Sequence, residues 1–319
     1  AQRTSSIAID IVRERRMRVT SQSNLEAAMR LLVKESIDVL LVFLPLAAGT
    51  EHDLSEHDTV FEAVSRGVGC IVITESDMNQ PEAMPALLMG LLARAGHIPY
   101  VLDEPLQGID RVVGLQLARV RQREQDIWHG FSRIFRADGH FLEARVFTAN
   151  TDRGQDPPLT MMQALLPDAQ LRRKRPLIHL DGRYRREALR SLGAWEDETE
   201  NSVSLVEVSQ RNVPYLYAVA KGVTTPEWGT QMQLSDEETL VYTGAEQAGG
   251  LAMPLAIRSE PPLARMQAVQ SVISFCWLRY GSAGLPSEPV SLLHGDLVLA
   301  GLERGTLHVT GPVTKPFWI

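Results

Sequence analysis

The chain has 319 residues, 44% hydrophobic and 22% charged, enough for two domains of ordinary size around a substantial core. Its net charge of −7 excludes a uniformly basic nucleic-acid binder, while arginine clusters leave room for a basic cleft on an acidic protein. Cys70 and Cys276 stand far apart inside apolar stretches, which argues against a disulfide framework or a zinc site and for buried thiols in a reducing, cytoplasmic setting.

No secretory signal is legible, and the longest apolar run, Val39 to Ala48, is broken by Pro45 and too short to span a bilayer. Ala1 in place of a methionine points to a fragment or a processed product. Arginines gather at Arg13 to Arg18, Arg119 to Arg123, Arg172 to Arg175 and Arg183 to Arg186, whereas acids gather at Glu196 to Glu200 and Asp236 to Glu238. Any one such cluster is as readily a solvated face as a binding surface.

Helical spacing of Leu25, Ala28, Met29 and Leu32 predicts a helix over Asn24 to Lys34, followed by a buried strand over Ile37 to Leu44. A short helix with Asp58 as N-cap, a strand over Val68 to Thr74, a helix over Pro85 to Ala95 ended by Gly96, and a third strand over Ile98 to Leu102 follow. This β–α–β–α–β order predicts a parallel sheet covered by helices, and no GxGxxG motif follows its strands to suggest a dinucleotide site. Beyond a linker with Pro105 and Gly108, Arg111 to Val120, Ile127 to Arg136 and Phe141 to Phe147 read as an antiparallel meander. A helical stretch (Pro157 to Asp168) leads to a buried strand, Leu177 to Leu180, that ends at Asp181-Gly182-Arg183 and opens a helix over Tyr184 to Leu192. Strands are expected at Ser202 to Val208, Tyr215 to Val219, Leu240 to Thr243 and Leu255 to Ile257. The longest helix, Leu263 to Tyr280, should bury a stripe including Met266, Val269, Cys276 and Trp277, and a last helix covers Leu292 to Leu302.

Asp181, at the carboxyl end of a buried strand, is the sharpest chemical feature, because ligands bind at that edge of such sheets. Asp296 could approach it, and two carboxylates on separate elements can share a magnesium ion for phosphodiester hydrolysis. By residue type alone, Asp-Gly is more often just a turn.

The order of several motifs resembles the MID–PIWI half of prokaryotic Argonautes. They are Leu92 to Gly96, Arg111 to Leu115, Leu177-Ile178-His179-Leu180-Asp181-Gly182-Arg183, Leu205 to Val208, Pro214 to Tyr217, Gly229-Thr230, Leu240 to Gly244, Pro254-Leu255, Pro289 to Leu297 and the tail Phe317-Trp318-Ile319. The resemblance covers residues 36 to 319 and implies an α/β chain with a Rossmann-like MID domain (1–108, possibly incomplete at its start) and an RNase H-like PIWI domain (109–319).

It also implies four metal-binding positions in PIWI. Gln116 stands at the first, where a neutral amide coordinates only weakly; no glutamate stands near Asn150 for the second, Asp152 being the nearest acid; Asp181 and Asp296 match the third and fourth. Half of the set survives, so a domain that does not cleave is expected. At the guide's 5′ end, the family's aromatic, lysine, glutamine and second lysine fall on Phe61, Ser65, roughly Ile71, and Gly90 or Arg94. Phe61 could then stack on the first guide base or simply pack in the core, and Arg94 could pair with phosphate. Arg119, Arg183 and Arg211 are expected along the guide, and the carboxylate of Ile319 would help a magnesium ion hold the 5′ end.

The implied partners are a guide RNA or DNA, its complementary target and an associated effector protein, in prokaryotic defence; no organic cofactor and no membrane are implied. Two other readings stay open. One is a guide-directed nuclease whose site Asp152, His179 or His294 completes; the other is an interaction subunit that has lost its guide.

Overall fold

The structure is a computed structural model that describes residues 10–12, 14, 22–32, 37–44, 56–74, 83–210, 213–219, 223–244, 253–281 and 287–318. Its N-terminal part comprises α1 (Gln22–Leu32), β1 (Val39–Leu44), α2 (Glu56–Val64), β2 (Gly69–Thr74) and α3 (Ala83–Arg94). β1 and β2 pair in parallel, and Leu40 and Cys70, opposite each other, share a small core with Met29 of α1 and Ala63 of α2. α2 begins two residues before Asp58, so Asp58 lies inside the helix and does not cap it. Gly96 does end α3: at φ 96° it takes the left-handed conformation that glycine adopts without cost, and His97 N–H returns to Leu92 O.

Residues 98–102 join no sheet, contrary to the third strand expected there. Pro99 has no N–H to give a ladder, and the neighbouring groups are taken up elsewhere. Leu102 N–H donates to Asp138 O, the Tyr280 hydroxyl to Tyr100 O, and the Tyr100 hydroxyl to Arg279 O. The segment is therefore tied to the C-terminal part of the molecule.

The larger part holds β3 (Arg111–Arg121), β4 (Gln125–Arg136), β5 (Phe141–Asp152), α4 (Leu159–Leu165), α5 (Asp168–Leu171), β6 (Pro176–Asp181), α6 (Arg185–Thr199) and β7 (Ser204–Ser209). There follow a small hairpin, β8 (Ala218–Val219) and β9 (Val223–Thr224), then β10 (Gln231–Gln233), β11 (Glu238–Val241), β12 (Leu255–Ser259), α7 (Arg265–Cys276) and α8 (Gly295–Glu303). The main sheet runs β10-β11-β12-β7-β6-β3-β4-β5, with β3, β6 and β7 mutually parallel and the other pairs antiparallel. A meander joined at its first strand to parallel strands is the RNase H-like arrangement expected.

Period-two alternation sorts the central strand between two cores. Val113, Leu115 and Leu117 face α4 and α6, meeting Met161, Met162, Leu165, Leu192 and Trp195. Val112 faces the opposite side, where α7, α8 and the tail residues Phe317 and Trp318 pack. Each such fully buried aliphatic side chain contributes about 1.5–3 kcal/mol. α6 outruns its expected end because Trp195 extends the buried stripe of Ala188 and Leu192.

Helix α7 is shorter than expected, and its buried stripe is Ala268, Val269, Val272, Phe275 and Cys276, while Met266 and Trp277 are exposed. The strand expected over Tyr215 to Val219 shrinks to the last two residues. Both cysteines are free and buried, and burial pushes the Cys70 thiol up to about 12 and raises that of Cys276 as well. Among the described residues no helix is long and apolar enough to cross a membrane.

Candidate functional site

The parallel pairing of Leu115 with Leu180 places the next residues side by side, Gln116 midway along β3 and Asp181 at the carboxyl end of β6. Asp296 arrives in the first turn of α8. All three line one cleft of about 330 Å³, together with Ser209, Glu288 and His294. The structure thus brings Gln116, Asp181 and Asp296 together in one cleft.

Two glycines allow the segment before α8 to lie flat on the central strands. A β-carbon on Gly114 would fall 1.7 Å from Ser291 O, and one on Gly295 would fall 1.6 Å from Gln116 Oε1. His294, in the left-handed region at φ 57°, turns the chain into α8, and its Nδ1 meets Trp318 O at 2.8 Å. That contact ties the start of α8 to the tail.

Arg133 lies beneath this cleft. It faces Gly114 across the β3–β4 ladder, and it is completely buried. Nη2 donates to Gln116 Oε1 at 2.7 Å and Nη1 to Val290 O at 3.0 Å. The guanidinium lies 4.3 Å from the ring centre of Phe131 and 5.0 Å from that of Trp318. Burial pulls its pKa well down while the negative charge of Glu288 pulls the other way; an arginine nonetheless keeps its proton in such settings. The Gln116 atom able to ligate a cation, Oε1, thus already accepts a hydrogen bond from a guanidinium.

The other candidate ligands divide clearly. Asn150 and Asp152 are exposed at the end of β5, two strands from β3, and line no part of the cleft. His179 is fully buried between Ser291 Oγ at 2.7 Å and Ser271 Oγ at 3.0 Å, and burial lowers its pKa to about 3. It is a neutral packed histidine. His294 lines the cleft. Among the described residues, no group of three or more His, Cys, Asp and Glu side chains is assembled to hold a metal ion.

The residues matched to the guide's 5′ end are largely closed off. Phe61 is 3% exposed and lies against Gly301 of α8, where a β-carbon would come within 2.5 Å of the ring, so its face is core and not a stacking platform. Ser65 Oγ accepts from His308 N–H at 2.9 Å, and Ile71 is buried. Arg94 is half-buried beside Gly90 and Gly281, with its pKa lowered to about 10 by burial.

Arg119, expected along the guide, braces the fold instead. It lies 3.9 Å from Asp126 and 3.7 Å from Glu187, over the rings of Trp128 and Tyr184. The backbone of Arg183 turns directly after Asp181, but its side chain, like Arg211 and Ile319, lies outside the described residues. Sequence reading missed Arg133 and Glu288. A charged residue flanked at i−2 and i+2 by Phe131 and Phe135, on one face of a strand, was the available signal for the first.

A mixed sheet with Asp181 at the end of β6, Gln116 beside it on the central strand and a helix starting over both has the RNase H-like arrangement. No family model matches the chain. Over 234 residues it is 22% identical to the argonaute of Aquifex aeolicus (strain VF5), an alignment covering 72% of this chain and 33% of that protein. The structure of Aquifex aeolicus Argonaute superposes with a TM-score of 0.74 at 20% identity, covering 94% of this chain and 45% of that one. Clostridium butyricum Argonaute, solved with a guide DNA and a 19-mer target DNA, gives 0.73 at 15% identity, covering 94% of this chain and 42% of that one. The chain is thus homologous to Argonaute by sequence and shares its fold, and it spans less than half the length of these relatives.

Proposed function

We propose that this chain is the MID–PIWI half of an Argonaute, divided near residue 108, that holds a guide strand and recognises a complementary target without cutting it. The observation that carries the reading is Gln116: an amide, bonded to Arg133, stands beside Asp181 where a two-cation hydrolytic site needs a carboxylate. Asp181 and Asp296 alone are a remnant of such a site. Target sequence would be read by pairing with the guide, the protein recognising duplex shape and backbone.

A magnesium ion at the guide's 5′ end would rest on the carboxylate of Ile319, which lies outside the described residues; of the residues matched to the 5′ phosphate, Phe61 and Ile71 are buried and apolar, Ser65 is bonded to the tail backbone, and Arg94 carries charge. No step is routed through such an ion. A non-cleaving sensor would act through an associated effector protein, which gives it a place in prokaryotic defence. The competing reading, a guided nuclease, has His294 in its favour, since that histidine shares the cleft with both aspartates.

The test is retention of short labelled RNA and DNA strands, followed by capture of complementary and scrambled targets, across a range of salt. Guide-dependent capture whose affinity falls steeply with salt is expected, with about 0.7 in the logarithmic slope per phosphate neutralised on a single strand. Absence of retention for both strand types would reject the reading.

A further inference from the structure

We infer that the buried guanidinium of Arg133 takes the place of a divalent cation in this cleft and is what keeps metal ions out of it. The inference rests on the non-cleaving reading above and supplies its physical cause.

A hard divalent cation needs several oxygen ligands and a net negative cage. Here the central strand offers one oxygen, Gln116 Oε1, and Arg133 Nη2 is 2.7 Å from it. A cation bound between Gln116 and Asp181 would therefore stand within a few ångströms of a like charge that is itself completely buried and so poorly screened on its own side. Arg133 cannot easily move aside. Nη1 is held by Val290 O at 3.0 Å, and the planar group is packed against the rings of Phe131 and Trp318.

Its position follows from the ladder. Arg133 is opposite Gly114, whose missing side chain lets the Ser291 backbone lie on β3 and brings the neighbouring Val290 carbonyl to the guanidinium. The same positive charge is felt by an acid of the cleft: Glu288, which lines it with Asp181 and Asp296, acts electrostatically on Arg133.

The experiment is titration of Mn²⁺ into the full chain without nucleic acid, followed by calorimetry and by melting temperature with and without chelator. The chains compared are wild type, Gln116→Asp, and Gln116→Asp with Arg133→Met. Wild type and Gln116→Asp are expected to give no saturable heat and no shift in melting. The double variant should bind Mn²⁺ saturably and melt several degrees higher with it, and Asp181→Asn added to that background should abolish the gain.

Saturable binding by wild type, or by Gln116→Asp with the arginine in place, would overturn the inference. So would a folded double variant that still binds nothing. If Arg133→Met does not fold, Arg133→Gln takes its place, and the Gln116→Asp measurement stands without either. Guide retention by the unaltered chain is a separate measurement, so the functional reading and the metal-exclusion claim can each fail alone.

Discussion

Replacing Gly295 by alanine gives a sharp test of how the remnant site is packed, because local and tertiary effects have opposite signs. Helix propensity alone favours alanine over glycine, by up to about 1 kcal/mol in a helix interior and by less at Gly295, the first residue of α8. The structure predicts the reverse: the new methyl carbon would fall 1.6 Å from Gln116 Oε1, 2.1 Å from Cδ and 2.4 Å from Nε2. Gln116 has no easy escape, since it is 4% exposed and its oxygen is held by Arg133. Overpacking a closed site typically costs about 1–3 kcal/mol, and with the amide pinned the upper end applies, roughly a hundredfold loss in the folded-to-unfolded ratio.

Urea unfolding of the wild type, Gly295→Ala, Gln116→Ala and the double variant separates the terms. Gln116→Ala alone should cost about 1–3 kcal/mol, because Arg133 Nη2 loses its acceptor. Adding Gly295→Ala to it should cost little more, giving a coupling of about 2 kcal/mol between the two positions. Additive costs, or a Gly295→Ala variant as stable as the wild type, would refute the geometry.

Other consequences are measurable in the same protein. His179 stays neutral in the fold down to a pKa of about 3, whereas an unfolded histidine protonates near its ordinary value of 6.5. The unfolded chain therefore binds the extra proton between these values, and stability is constant above that window and falls as pH drops through it, by up to about 1.4 kcal/mol per pH unit. His179→Gln should flatten this slope, and identical slopes would contradict the assignment. Phe61→Ala should cost about 3–5 kcal/mol by leaving a cavity under α8, and loss of guide affinity at unchanged melting temperature would argue for a stacking role instead. Cys70 and Cys276, buried and with raised pKa values, should resist thiol reagents until denaturant is added; rapid modification of both in the native state would refute their burial.

The sheet was legible where local pattern and tertiary role agree. β3, β4 and β6 are rich in branched and aromatic residues, and their order with β5 carries the fold. Asp181 and Asp296 were legible through their neighbours: a buried strand ending in a turn, and a helix start. What escaped depends on register and distant partners. Arg133 is meaningful only because the ladder sets it opposite Gly114, and Arg119 looks like a phosphate contact until folding brings Asp126 and Glu187 to it. Residues 98–102 have strand composition, but Tyr280 and Asp138 claim their backbone groups. Phe61 allowed two readings because an aromatic on a helix looks alike in a pocket and in a core, and only the seam with α8 decides between them.

The most direct measurement is a single-turnover assay in which the guide-loaded chain meets a labelled complementary strand with magnesium or manganese present. Retention of the strand on the protein at full length, in both metals and over many hours, is the predicted result. A discrete guide-positioned product that disappears in Asp181→Ala would contradict the account and restore the cleft as a working nuclease.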